Sequence, residues 1–247
     1  MSLGVHIQDL NFNYKNQPPL IRALHFHVPQ GVRFGIFGPN GAGKTTLMGL
    51  MTGLLRYELG SIKVLGYEVK DSSKYLNNLI GVVPQDFSFY EELSPIENME
   101  FFGAWYGLNT IQIKQKTAEL LTVMGLNDVR HKPVKQFSGG MKRRVNLAIG
   151  VMNDPRILFL DEPTVGVDVH SRNAIVAYLK KINEENGTTL IYTSHQLKEA
   201  EDLCQYVAMI DQGQLIAEDS IEQLLQKHHQ DGLEGLFLEL TGRDYRD

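Results

Sequence analysis

Residues 38–46 are Gly38-Pro39-Asn40-Gly41-Ala42-Gly43-Lys44-Thr45-Thr46, a match to the phosphate-loop pattern GxxxxGK followed by Ser or Thr. The apolar residues 32–37 before them predict a buried strand, and residues 47–51 after them predict a helix. The glycines let backbone N–H groups approach phosphate oxygens, and the helix N-terminus adds partial positive charge. A glycine-rich turn with a surface lysine is the alternative, but it leaves both flanks unexplained. We therefore expect these residues to bind the phosphates of a nucleotide.

Two side chains of this loop carry specific predictions. We expect Lys44 to bridge the β- and γ-phosphates of ATP, and the hydroxyl of Thr45 to bind Mg²⁺. Each hydrogen bond to a charged oxygen contributes roughly 1.5–3 kcal/mol, so several such contacts make a tight site.

The composition limits the class of protein. The 247 residues carry a net charge of −5, and Lys142-Arg143-Arg144 is the one compact basic cluster. We expect no nucleic-acid partner, because proteins that bind nucleic acid usually show a basic face. The sequence has no apolar run near the ~20 residues needed to cross a bilayer and no signal segment, which predicts a cytoplasmic protein. The single cysteine, Cys204, agrees with a reducing compartment.

The order of apolar patterns predicts an α/β fold. Alternation at 5–14 and 20–28 predicts an antiparallel β subdomain at the N-terminus. Short apolar runs predict further strands at 60–65, 79–83, 157–160, 189–192 and 207–210. Helical spacing across about 89–153 predicts an inserted α-helical subdomain. The remaining alternation of strands and helices predicts a mainly parallel sheet that binds ligand at the carboxyl ends of its strands, in one domain over 1–247 with a short C-terminal extension from about 220.

Two carboxylates, Asp161 and Glu162, follow the apolar run at 157–160. The phosphate loop also follows a strand, so we expect these carboxylates at the same edge of the sheet. There Asp161 would hold Mg²⁺, and Glu162 would accept a proton from the water that attacks the γ-phosphate. A helix cap or a turn is the alternative for this pair taken alone.

Residues 137–144 are Phe137-Ser138-Gly139-Gly140-Met141-Lys142-Arg143-Arg144, and this stretch resembles the signature loop of ABC-family ATPases. Its Ser-Gly-Gly segment opens a predicted helix, whose free N–H groups form a second anion site. Other family motifs follow the family's order over nearly the whole chain. The resemblance implies that Tyr14 stacks on adenine, Gln85 senses Mg²⁺ and the γ-phosphate, Asp168 is the D-loop aspartate, and His195 is the switch histidine.

The resemblance also implies a fold, a reaction and an assembly. The core would be that of a P-loop NTPase, with Gln85, Glu162, His195 and Lys44 as catalytic residues and Thr45, Gln85 and Asp161 around Mg²⁺. Ser138, Gly139, Gly140 and Met141 would contact the ATP held by an opposite subunit, in a two-fold dimer with a second copy or a paralogue. The partners would be transmembrane permease subunits, and the chain would lie at the inner face of the cell membrane.

Finer features are most similar to ATPase subunits of ABC-2-type exporters. They are the Ser-Gly-Gly-Met-Lys-Arg-Arg segment, the stretch 101–107, and the stretch 236–243. Met141 departs from the glutamine frequent in the family, and 165–167 departs from Ser-Gly-Leu, but neither change removes a catalytic group. The aromatic residues between 87 and 106 would either pack in the core or line the groove for a membrane subunit.

Several alternatives stay open at the level of sequence. Tyr14 alone is also typical of a packed strand aromatic, and His195 alone of a structural histidine. A soluble ABC-type ATPase acting on nucleic acid or the ribosome is the second hypothesis for the function. A small-molecule kinase is the third, but it explains neither the second anion loop nor Glu162.

Overall fold

The structure is a computed structural model that describes residues 2–242, without the side chains of residues 73, 74 and 200. The strands are β1 Leu3–Phe12, β2 Ile21–Pro29, β3 Arg33–Phe37, β4 Leu59–Val64, β5 Tyr67–Glu68, β6 Ile80–Val83, β7 Ile157–Asp161, β8 Thr189–Ser194, β9 Tyr206–Asp211 and β10 Gln214–Ser220. The α-helices are α1 Lys44–Met51, α2 Val69–Leu76, α3 Pro95–Trp105, α4 Thr110–Val123, α5 Gly139–Gly150, α6 Val169–Asn186, α7 Leu197–Leu203, α8 Ile221–His228 and α9 Leu233–Thr241.

The N-terminal strands form an antiparallel sheet in the order β2-β1-β4-β5, as the alternation predicts. Val5 and Ile7 of β1 are buried, and so are Phe26 and Val28 of β2. The predicted first strand reached Tyr14, whereas β1 ends at Phe12. One face of this sheet therefore closes a hydrophobic core, and Tyr14 lies in the connection beyond it.

The second sheet has the order β10-β9-β3-β8-β7-β6. Strands β6, β7, β8, β3 and β9 run parallel, and β10 is antiparallel to β9 at one edge. Every residue of β7 and β8 is buried, as expected for parallel strands covered on both faces. Because parallel strands end at the same edge, the segments that follow β3, β7 and β8 meet there. The predicted mainly parallel sheet is confirmed.

Helices α3, α4 and α5 fill the chain between β6 and β7, as the helical spacing predicts. Met99, Leu120 and Val145 from these helices share one core with Leu158 and Leu160 of β7. This shared core fixes the helical segment to the sheet. The description of 1–247 as one domain with this insertion stays a prediction.

Some elements differ from the sequence predictions. The polar connection at 66–78 contains β5 and α2, and α2 buries Val69 and Leu76 near its two ends, too few apolar positions to show a helical period. Helix α9 occupies the C-terminal stretch, and residues 243–247, with Arg243 of the stretch 236–243, lie outside the described residues. None of the helices within 2–242 combines the length and apolarity of a membrane span.

Candidate nucleotide-binding site

A cleft of about 440 Å³ lies where the segments after β3, β7 and β8 meet. It is lined by Leu20, Asn40, Gly41, Gly43, Lys44, Thr45, Thr46, Gln85, Glu162, Val165 and His195. These residues come from segments far apart in the sequence. The parallel sheet therefore assembles the phosphate loop and the predicted catalytic side chains in one place.

Gly43 and Gly38 show why the phosphate loop needs glycine. Gly43, the N-cap of α1, has a φ of 101°, a conformation that other residues rarely adopt. A Cβ atom at Gly38 would lie 2.1 Å from the carbonyl oxygen of Ile210 in β9. The loop is therefore pressed against the sheet on one side and presents its backbone to the cleft on the other.

Lys44 lies inside this loop and is 6% exposed. Its ammonium donates hydrogen bonds to the carbonyl oxygens of Gly38, at 2.7 Å, and of Pro39, at 3.2 Å. Burial lowers the pKa of Lys44, whereas the negative charges of Glu162 and Asp161 raise it. The loop thus holds a positive charge at the wall of the cleft, where phosphate oxygens would contact it.

Asp161 is a buried carboxylate next to the phosphate loop. Its Oδ1 accepts hydrogen bonds from the Thr193 hydroxyl, at 2.6 Å, and from the Thr45 hydroxyl, at 3.4 Å. Burial raises the pKa of Asp161, and the charge of Glu162 raises it further, whereas the two hydroxyls lower it. An added cation would relieve this unfavourable burial of charge.

The oxygens of Thr45 and Asp161 form a donor set that fits Mg²⁺. Mg²⁺ prefers oxygen ligands and is usually bound through one or two carboxylates together with substrate phosphates. In the described part of the chain, no group of three or more His, Cys, Asp or Glu could hold a metal ion. The third predicted ligand, Gln85, has its side-chain amide at Glu162, so its role as a metal ligand stays a prediction.

Glu162 is held from two sides at the cleft. Its Oε1 lies 3.1 Å from Nδ1 of His195, and its Oε2 accepts a hydrogen bond of 3.0 Å from the amide of Gln85. Its backbone has a φ of 48°, in the left-handed region that is uncommon outside glycine. Its N–H donates to the hydroxyl of Thr193 at 3.2 Å. The carboxylate is therefore fixed in direction, as a group that orients a water molecule must be.

Tyr14 lies beside the phosphate loop and not among the side chains that line the cleft. Its hydroxyl is 3.0 Å from Oγ1 of Thr46. Its ring meets the edge of Phe12 at 5.0 Å between centroids and is 39% exposed. The ring is thus partly exposed beside the loop, and its stacking on adenine stays a prediction.

The Ser-Gly-Gly loop lies apart from the cleft. Ser138 caps α5, and its Oγ accepts a hydrogen bond of 3.3 Å from the N–H of Met141. Ser138 and Gly139 are exposed. A Cβ atom at Gly140 would lie 3.0 Å from Oδ2 of Asp168, the N-cap of α6. The structure therefore places this loop beside the predicted D-loop and leaves its outer face open.

A family model described as "ABC transporter" matches residues 21–165. The chain belongs to this family. It is 41% identical over 198 residues to the linearmycin resistance ATP-binding protein LnrL of Bacillus subtilis. The aligned residues cover 80% of this chain and 63% of that protein. It is 38% identical over 209 residues to a Nod factor export ATP-binding protein I of a Rhizobium species. The aligned residues cover 85% of this chain and 68% of that protein.

A solved structure of the ATP binding subunit of an ABC transporter superimposes on this chain with a TM-score of 0.88 and 25% identity. The match covers 96% of this chain and 99% of that chain. The chain spans only about two thirds of the two curated ABC relatives, at 63% and 68% of their lengths. The resemblance to ABC-family ATPases is confirmed, with relatives whose names include export.

The cleft of this ABC family member unites most of the predicted residues. Gly38, Pro39 and Asp161 are hydrogen-bonded to lining residues, and Ala42 is their neighbour in the loop. The other predicted residues that do not line the cleft are Tyr14, Ser138, Gly139, Gly140, Met141 and Asp168, and their roles stay predictions.

Sequence reasoning missed several residues that support this ABC site. Thr193 donates to the carboxylate of Asp161 and accepts the backbone N–H of Glu162, but a threonine in an apolar strand carries no distinguishing signal. Arg143 is 5% exposed, and its place in a compact basic cluster gave no sign of this burial. Glu199 is buried and accepts hydrogen bonds from Thr164 and Tyr192, and its polar neighbours in α7 conceal this role.

Proposed function

We propose that this chain binds and hydrolyses ATP with Mg²⁺. The observation that carries the proposal is the position of Glu162, held by Gln85 and His195 at the wall of the cleft that also contains Lys44 and Thr45. A phosphate loop alone binds a nucleotide. A fixed carboxylate facing the same cleft adds a group that can accept the proton of an attacking water molecule.

Each residue has a distinct task in this reaction. Lys44 and the N–H groups of the loop hold the β- and γ-phosphates, and Thr45 with Asp161 holds the cation. When bound, Mg²⁺ supplies positive charge to the phosphate oxygens. Glu162 orients the water and takes its proton, while ADP leaves with the electrons of the broken P–O bond.

We further propose that this reaction drives transport of a substrate out of the cell through separate membrane subunits, with the chain at the inner face of the membrane. The names of the relatives support this proposal, since one is a Nod factor export ATP-binding protein. A surface supports it too. Phe87, Tyr90, Phe101 and Trp105 expose their rings, and a groove of about 520 Å³ is lined by Leu54 and Trp105. Exposed aromatics of this kind are typical of protein interfaces.

The exposed Ser-Gly-Gly loop supports a dimer. Ser138 and Gly139 lie exposed at the start of α5 and do not line the cleft of their own chain. N–H groups at the start of a helix bind anions, so this loop would contact the γ-phosphate held by a second subunit. We propose that ATP is held between two such chains, or between this chain and a paralogue.

Glu162→Gln tests the reaction. The variant keeps the size of the side chain and removes the base, so we expect ATP binding to be retained and phosphate release to fall by about 10²–10⁴-fold. Phosphate release without an added acceptor also separates an ATPase from a kinase. Glu58→Gln, at an exposed glutamate, is the matched control. Near-normal phosphate release from Glu162→Gln would remove Glu162 as the base.

A further inference from the structure

Arg143 is a buried positive charge without a buried negative partner. It lies in α5 and is 5% exposed, and it forms no ion pair with any carboxylate of residues 2–242. Its Nε has no hydrogen-bond partner among the described residues. Burial lowers the pKa of Arg143, and the more distant charges of Asp86, Glu162 and Asp161 raise it. A buried charge without an ion-pair partner is unfavourable for folding, which indicates a role other than stability.

The guanidinium group is bonded to main-chain oxygens of the segment after β6. Its Nη1 donates hydrogen bonds to the carbonyl oxygens of Gln85, at 2.8 Å, and of Pro84, at 3.3 Å. It also lies over the ring of Phe87, with 4.9 Å from Cζ to the ring centroid. Asn146, one turn further along α5, donates to the same Pro84 oxygen at 3.1 Å. Helix α5 therefore holds the backbone of this segment at both residues before Asp86.

The segment so held presents Gln85, whose side chain reaches the candidate catalytic carboxylate. Gln85 donates a hydrogen bond of 3.0 Å to Oε2 of Glu162. A continuous set of bonds thus runs from α5 through Arg143 and the main chain of 84–85 to Glu162. The other end of α5 begins at the Ser-Gly-Gly loop.

We propose that Arg143 is a positioning residue for hydrolysis. It holds the carbonyl oxygens of Pro84 and Gln85 to α5, and this places the Gln85 side chain against Glu162. This inference rests on the proposed ATPase function. It also connects two sites. A shift of α5, when its Ser-Gly-Gly loop contacts a nucleotide on a second subunit, would reach Glu162 of the same chain through Arg143 and Gln85. Contact at one nucleotide would thereby adjust the reaction at the other.

The test is a double-mutant cycle on ATP hydrolysis by the full chain, with Arg143→Met, Gln85→Ala and their combination. Arg143→Met keeps the aliphatic part of the side chain and removes the guanidinium group. We expect it to lower kcat about tenfold with KM changed less than about twofold, because Arg143 orients a catalytic group without touching the nucleotide. When Gln85→Ala is already present, Arg143→Met should lower kcat by less than about a further twofold, because its effect passes through the Gln85 side chain.

Arg144→Met is the matched control. Arg144 is the next residue of the same helix, it donates to a carbonyl oxygen, that of Met124 at 2.7 Å, and its Nε is also unpartnered among the described residues. It contacts the helical segment and not the residues before Asp86. We expect its kcat to stay within about twofold of wild type, even if its unfolding temperature falls as far as that of Arg143→Met.

Asn146→Ala keeps the test decisive if Arg143→Met fails to fold. It removes one donor to the Pro84 oxygen without removing a charge, and we expect a loss of kcat of about threefold that vanishes in Gln85→Ala. Equal losses in the presence and absence of the Gln85 side chain, or an unchanged kcat in Arg143→Met, would overturn the proposal. A wild-type chain that releases no phosphate would instead overturn the proposed function.

Discussion

The hydroxyl of Thr193 donates a hydrogen bond of 2.6 Å to Oδ1 of Asp161. The hydroxyl oxygen of Thr193 also accepts a hydrogen bond of 3.2 Å from the backbone N–H of Glu162. One side chain of β8 therefore supports the carboxylate of Asp161, at the end of β7, and the backbone of Glu162, the next residue. Because Thr193 is fully buried, water cannot replace either bond if the hydroxyl is removed.

Thr193→Val should lower the free energy of unfolding by about 1.5–3 kcal/mol, because a buried charged acceptor loses its donor. Guanidinium denaturation without nucleotide measures this loss. Thr188→Val is the control, since the buried Thr188 hydroxyl donates to a neutral acceptor, the carbonyl oxygen of Pro155, at 3.2 Å. Thr188→Val should lower the free energy of unfolding by about 0.5–1.5 kcal/mol. A smaller loss in Thr193→Val than in Thr188→Val would show that Asp161 does not depend on this bond.

His195→Ala should lower kcat for ATP hydrolysis by about 10²-fold, because Glu162 loses one of the two groups that fix its direction. Nucleotide binding should change little, since His195 contacts the carboxylate and not the phosphate loop. His228→Ala is the control. Nδ1 of His228 also contacts a glutamate, at 2.8 Å from Oε1 of Glu239, but His228 lies at the end of α8 and not in the cleft. An unchanged rate in His195→Ala would count against the switch role.

The two aspartates predicted for the site should respond to pH with opposite signs. Burial raises the folded-state pKa of Asp161, so its ionised form destabilises the fold. Asp161→Asn should therefore be more stable than wild type at neutral pH without Mg²⁺. This advantage should shrink as the pH falls through the folded pKa of Asp161 and vanish below its unfolded pKa.

Asp168 is the matched comparison, because its hydrogen bond from the N–H of Ser171 lowers its folded-state pKa. Its ionised form stabilises the fold, so Asp168→Asn should be less stable than wild type at neutral pH. The difference should disappear as the pH falls through the folded pKa. Urea denaturation of both variants between pH 3 and pH 8 measures these signs, and a stabilising Asp168→Asn at neutral pH would contradict the assignment.

Glu162→Gln should form a dimer when Mg²⁺ and ATP are added and a monomer when they are absent, as light scattering would show. Adding Gly139→Glu should abolish the dimer, because it places a negative charge where the Ser-Gly-Gly loop would meet the γ-phosphate. ATP binding to the single chain should persist, since the loop does not line its own cleft. A dimer that survives Gly139→Glu would show that this loop is not the contact.

Much of the site follows from local patterns, and the rest depends on packing. The phosphate loop, Asp161 and Glu162 follow apolar strands, so the rule that parallel strands end together predicts their meeting. The bond between Tyr14 and Thr46 depends on how one sheet lies against the other, which no pattern records. The sequence showed Arg143 only as part of a basic cluster, and its burial was not predicted because charged residues are rarely buried. Its burial follows from carbonyl acceptors that appear only when α5 packs against the segment after β6.

The strand order has a consequence for the synthesis of the chain. Strand β3, which delivers the phosphate loop, lies between β8 and β9, although β3 ends at residue 37 and those strands begin at 189 and 206. While the ribosome is still translating the middle of the message, β3 has two open edges and the loop has no β9 to press against. The nascent chain therefore carries its phosphate loop long before the strand that supports it, and a premature stop before β9 removes the Ile210 carbonyl against which Gly38 packs.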